Sequence, residues 1–112
     1  MAEVLDNMIA ADVIVMATPV YFNTMNAQMK TLIDRTYSRY TKISDKDIYF
    51  IATAANPRKQ MMERTIDGFR GFIYFLSGAK EKGIIYGTGA LNIGDIKGSK
   101  AMKEAYEMGK AI

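Results

Sequence analysis

Residues 11–35 read ADVIVMATPVYFNTMNAQMKTLIDR, and the change of hydrophobic period inside this stretch decides the fold. The run VIVMAT, opened by Asp12 and closed by Pro19, is apolar at successive positions. That is the pattern of a central strand in a parallel sheet covered by helices on both faces. After the loop TPVYFNTM, the residues Met25, Met29, Leu32, Thr36 and Tyr40 recur at spacings of four, three, four and four. That period predicts a helix with one stripe turned to the sheet.

The same alternation continues in both directions. Upstream, Val4, Leu5, Met8 and Ile9 share one helical face. Downstream, polar residues 41–47 give way to a second strand, IYFIATA at 48–54. Asn56 suits a helix N-cap and Pro57 the first helical position, ahead of a stripe made by Met62, Ile66, Phe69, Ile73 and Leu76. Gly68 and Gly71 fall inside that stripe, where they mark close packing or a local irregularity. A third strand is expected at GIIYG, 83–87, followed by the loop ALNIGDIKG. Ser99 then caps a last helix with Ala101, Ala105, Met108 and Ile112 turned inward. The order α-β-α-β-α-β-α predicts one α/β domain with three parallel strands and about four helices.

Composition narrows the function. At 112 residues, 49% hydrophobic and 24% charged, the chain fits a single ordinary globular domain, 1–112. It holds no Cys and no His, which excludes disulfides, thiolate metal sites and histidine base catalysis. Chemistry would have to come from a cofactor or a substrate. The net charge of +3 is spread along the chain, a pattern of solvated helix faces rather than a nucleic-acid footprint. No apolar run approaches the ~20 residues of a membrane span, and the first residues are acidic where a signal peptide is basic, so the expected location is cytoplasmic.

Ligands of an open parallel sheet bind beyond the carboxyl ends of its strands. Three loops lie there. The first holds Thr18, Pro19, Val20, Tyr21, Phe22 and Asn23, whose aromatic rings either flank a flat heterocycle or simply cap the core. The second, Ala54, Ala55 and Asn56, offers N–H groups before a helix. The third, GTGALNIG, misses both the dinucleotide and the P-loop spacing and reads as turns. Arg58 and Lys59 beside the second loop are either solvated charge or a seat for a nicotinamide dinucleotide phosphate.

The stretch 11–35 resembles a segment of NAD(P)H-dependent FMN reductases and iron-sulfur flavoproteins, of the form A-D-x-I-hydrophobic-x-[ST]-P-V-Y-[FW] with a following helix that ends K-x-x-I-D-R. The tail from Lys82 to Ile112 resembles the closing segment of the iron-sulfur flavoprotein branch. The resemblance implies a flavodoxin-like three-layer sandwich and an FMN-binding, NAD(P)H-dependent oxidoreductase. Its flavin ring would lie against Thr18–Asn23 and Ala54–Asn56, with NAD(P)H as electron donor. It covers the family's C-terminal two-thirds: the initial strand and the Ser/Gly-rich loop that binds the FMN phosphate have no counterpart here, so the domain is expected to be incomplete at its N-terminus. The alternative is a non-catalytic remnant or assembly module that no longer binds FMN. In the family's strand order the 12–18 strand has a neighbour on each side, so the resemblance also implies a homo-oligomer through its exposed edge, or a separate chain supplying the phosphate loop.

Overall fold

A computed structural model describes residues 1–112. The elements are α1 (Ala2–Ala10), β1 (Val13–Tyr21), β2 (Thr24–Met25), α2 (Ala27–Arg35), β3 (Asp47–Thr53), α3 (Glu63–Ile73), β4 (Lys80–Gly87) and α4 (Lys100–Lys110). They build one four-stranded sheet in the order β2-β1-β3-β4. β1, β3 and β4 are parallel, as the alternation of periods predicts, and β2 is antiparallel to β1.

The fourth strand corrects the expected count of three. β1 does not stop at Thr18 but runs on to Tyr21, and the chain turns at Phe22 and Asn23 so that Met25 pairs with Val20 and Thr24 with Tyr21. Both turn residues are left-handed, with φ of 48° and 67°. That is the twist that matches a two-residue hairpin to its strands. Pro19 was expected to end the strand. It is tolerated because Pro is excluded only where a ladder N–H is required.

One face of the sheet carries the core. Met16 on β1, Ile48, Phe50 and Ala52 on β3, and Ile84 and Tyr86 on β4 pack with Leu5 and Met8 of α1 and with Ile66 and Phe69 of α3. Phe50 stacks on Phe69 with ring centroids 4.9 Å apart, adding about 1 kcal/mol to the area both bury. The predicted stripe of α3 therefore holds: Met62, Ile66 and Phe69 are fully buried, and Leu76 is 3% exposed although it lies beyond the helix.

Several boundaries differ from the sequence expectation. Met25 belongs to β2, and α2 ends at Arg35, the stripe continuing through two 3₁₀ turns at Thr36–Ser38 and Tyr40–Lys42. There the Thr36 hydroxyl donates to the Ile33 carbonyl at 2.7 Å, taking a backbone acceptor at the helix end. Asn56 does not cap a helix. Its carboxamide oxygen accepts from Arg58 N–H at 2.8 Å, a local turn, and α3 begins only at Glu63 after a 3₁₀ turn at Lys59–Met62. Gly68 marks close packing, since a Cβ there would lie 2.9 Å from Met25 Cε, while Gly71 faces open space. β4 starts at Lys80, earlier than expected, through a register shift between Ile48 and Tyr49. Ser99 caps α4 as predicted, its hydroxyl accepting from Met102 N–H at 3.2 Å. Ala101 is buried, but Ile112 lies beyond the helix and is exposed.

The second face also departs from expectation. α4 packs on it over β4, and the β1 residue Val15 is 50% exposed.

Candidate functional site

The carboxyl ends of β1 and β3 are side by side, with Pro19 in register with Thr53. This brings Thr18–Asn23 next to Ala54–Asn56, two segments with thirty residues between them in the chain. Parallel pairing is the cause: strands that run the same way in register bring their carboxyl ends to one rim.

Along the first segment, burial falls steadily. Thr18 is 3% exposed, Pro19 and Val20 are half-buried, Tyr21 is 61% exposed and Phe22 is fully exposed at the hairpin tip beside exposed Asn23. Thr18 anchors this ramp. Its hydroxyl accepts from Asn26 N–H at 3.0 Å and donates to the Pro19 carbonyl at 2.8 Å. Asn26 in turn caps α2 by accepting from Met29 N–H at 2.9 Å. The hairpin that carries Tyr21 and Phe22 is thus tied at its base to a strand and to a helix start.

Along the second segment, Ala54 is buried, and Ala55 and Asn56 are exposed. Ala54 N–H donates to Gly87 O at 2.9 Å, Ala90 N–H to Ala54 O at 2.8 Å, and Gly89 N–H to Asn56 O at 3.3 Å. The N–H groups of Ala55 and Asn56 donate to no protein acceptor. They are two adjacent free donors on the rim, opposite exposed aromatic surface on the neighbouring strand. A flat heterocycle with acceptor atoms along one edge fits such a rim, its face against an aromatic ring and its edge on the amides.

The bonds from Gly89 and Ala90 reveal what the sequence reading missed. The third loop holds no ligand signature, yet it braces the second loop from behind, and Gly89 adopts φ +70° to do so. Its Gly-Thr-Gly composition signals a turn but carries no sign of the partner it binds.

A charged cluster flanks the rim on the β4 side. Lys59 Nζ sits 4.6 Å from the centre of the Tyr86 ring, and the Tyr86 hydroxyl reaches Glu63 at 3.5 Å. Burial, with the Glu63 charge behind it, pushes the Tyr86 phenol above its ordinary range. Arg70 meets Glu81 in a two-pronged pair at 2.8 and 3.0 Å. The hydrogen bond from Arg70 holds the Glu81 carboxyl below its ordinary value, and the same bond raises the Arg70 guanidinium. This pair fastens α3 to β4. Of the two cations noted beside the second loop, Lys59 is therefore engaged with Tyr86, while Arg58 is exposed and its backbone N–H completes the Asn56 turn.

A groove of about 700 Å³ lies elsewhere, between α2 and α3, lined by Met25, Ile33, Tyr37, Tyr40, Phe72 and Phe75 among others. It contains none of the predicted ring contacts. Groove size alone does not locate chemistry.

Residues 1–70, which include both rim segments, match the family described as NADPH-dependent FMN reductase. The chain belongs to that family. Solved structures share the fold of this FMN reductase family member. The Trp repressor binding protein from Bacillus subtilis superposes with a TM-score of 0.76 at 25% identity, over 85% of this chain and 65% of that one. The flavodoxin, WrbA-like protein from Agrobacterium tumefaciens superposes with a TM-score of 0.74 at 15% identity, over 99% of this chain and 72% of that one, a likeness of fold. The chain thus spans about two thirds of the length of these neighbours. No curated protein matches the sequence. No helix of this FMN reductase family member is long and apolar enough to cross a membrane.

Proposed function

We propose that this chain carries the flavin-ring half of an FMN-dependent, NAD(P)H-oxidising site, with Thr18–Asn23 and Ala54–Asn56 as the ring contacts. The observation that carries the reading is the pair of free N–H groups at Ala55 and Asn56 beside the Tyr21–Phe22 hairpin. Family membership supports FMN as the flat ring.

FMN, when bound, supplies hydride acceptance from a nicotinamide and onward electron transfer. The chain's own residues orient and tune. Ala55 and Asn56 N–H donate to acceptor atoms on the ring edge, and donors placed there favour electron density on that edge. Tyr21 and Phe22 bring apolar surface that displaces water from one ring face. Thr18, through Asn26, keeps the hairpin at a fixed height above the rim.

The test is an absorbance spectrum of the purified protein, as isolated and after incubation with FMN and gel filtration. Visible flavin absorbance that co-elutes with protein and bleaches on addition of NADPH is the expected result. A protein that emerges colourless after loading rejects the reading and leaves the non-catalytic assembly module. That second reading is favoured by one observation, the incompletely covered second face of the sheet.

A further inference from the structure

The cations around the rim differ in what they meet. Lys59 lies over the Tyr86 ring, 4.6 Å from its centre, and Lys100 pairs with Glu104 at 3.6 Å. Farther off, Arg39 pairs with Asp6 and Arg70 with Glu81. The Arg58 guanidinium meets neither a carboxylate nor an aromatic ring. Solvation accounts for many such side chains, but the backbone of Arg58 sets it apart. Its N–H donates to the Asn56 carboxamide oxygen at 2.8 Å, and its carbonyl accepts from Met61 N–H at 3.1 Å. Asn56 is braced in turn, its carbonyl accepting from Gly89 N–H at 3.3 Å. Arg58 therefore stands on fixed backbone with only its guanidinium unengaged. It follows Asn56 by two residues, so the two Cα atoms lie within about 7 Å of each other.

The chemistry of the guanidinium selects the ligand. Its planar fork of donors meets a phosphate through two parallel charge-assisted hydrogen bonds, whereas an ammonium offers a point charge. NADPH and NADH deliver the same hydride and differ in one group, the 2′-phosphate of the adenosine. A cation that meets that group separates the two donors. With the nicotinamide over a ring held by Ala55 and Asn56, the adenosine half extends past the margin of the rim, and Arg58 is the unpaired fork beside the second loop.

We propose that Arg58 binds the 2′-phosphate of NADPH and makes NADPH the preferred donor over NADH. The inference rests on the flavin-site reading, because it takes the nicotinamide to lie at that rim.

The binding test needs no flavin. Adenosine 2′,5′-bisphosphate and AMP, which differ only in that phosphate, are titrated by NMR into the chain and into Arg58→Gln. The wild type should bind the bisphosphate at least about tenfold more tightly than AMP, and Arg58→Gln should remove that difference with AMP unchanged. Arg58→Lys should keep part of it, because the charge remains without the fork. Arg58 is exposed, so both variants should keep the wild-type urea midpoint. Equal binding of the two nucleotides to the wild type overturns the proposal, as does a preference that survives Arg58→Gln. In protein that retains FMN, the NADPH-to-NADH ratio of kcat/KM should fall in Arg58→Gln while the NADH value stays unmoved. A variant that instead loses FMN but keeps riboflavin places the flavin's own phosphate on Arg58 and overturns the assignment to NADPH. A chain that separates the nucleotides through Arg58 yet retains no FMN supports this seat and rejects the flavin reading. Retention of FMN with undistinguished nucleotides rejects the seat alone.

Discussion

The Thr18 hydroxyl accepts a hydrogen bond from the Asn26 backbone N–H at 3.0 Å, across a hairpin, the two residues being eight positions apart. Thr18 is buried, so removing its oxygen leaves the Asn26 donor without its partner. Thr18→Val is expected to destabilise the protein by about 1–3 kcal/mol. Chemical denaturation measures the loss. Amides of β2 and the first turn of α2 should exchange faster in the variant, and an unchanged exchange profile would argue against the anchoring role.

Phe22 adopts φ 48° and is fully exposed, so nothing in the fold compensates a bulky residue in the left-handed region. Phe22→Asn should raise stability by up to about 1 kcal/mol, since Asn tolerates that conformation. It should also weaken FMN retention by removing ring surface. Measuring thermal stability and FMN affinity on the same variant checks both, and a change in which both improve contradicts a ring-stacking role.

Gly68 and Gly71 lie on one helix but in different surroundings. Gly71→Ala meets nothing within 4 Å and should stabilise α3 by up to about 1 kcal/mol. Gly68→Ala gains the same helix propensity but presses on Met25 Cε at 2.9 Å, so its net effect should be smaller or reversed. Urea midpoints of the two variants, compared side by side, decide this.

Glu81 ionises more readily in the folded chain because Arg70 hydrogen-bonds its carboxylate. With the folded pKa below the unfolded one, the unfolded state takes up the proton first as pH falls. The contribution of the pair is present above the ordinary carboxylate pKa of about 4.3 and is lost as pH drops through the lower folded value. Glu81→Gln should flatten that acid limb of the stability curve. Tyr86 works in the opposite sense, its folded pKa being raised, chiefly by burial. Its contribution is present below the ordinary phenol range, about pH 10, and declines as pH rises through the folded value. Melting temperature against pH for the wild type, Glu81→Gln and Tyr86→Phe resolves both limbs.

Much of this architecture was legible in the residues. Apolar runs at 13–18 and 48–54 are strands, the stripe through Ile66 and Phe69 is the buried face of α3, and Ser99 is an N-cap, because each signal is local and periodic. The motif around Pro19 and Tyr21 pointed to the family that the match over residues 1–70 bears out. Less legible were features whose partners lie far away in sequence. The hairpin at Phe22–Asn23 carries no Asn-Gly signal, and Asn56 and Pro57 looked like a helix start while forming a turn. Neither the bracing of Ala54 and Asn56 by Gly89 and Ala90 nor the Arg70–Glu81 clamp has a spacing that could announce it.

Sequence by itself determined the parallel α/β class, the alternation of helices with the three parallel strands, the absence of His and Cys chemistry, and the strand ends at which a ligand is expected. Each follows from period, composition or the direction of parallel strands. Only the tertiary structure decided that Pro19 and Thr53 lie in register, that the amides of Ala55 and Asn56 are free, and that α4 packs on β4 while Val15 of β1 stays exposed. Those are relations among distant segments, set by strand register and by the width of one helix on the sheet, and no local pattern of residues encodes them.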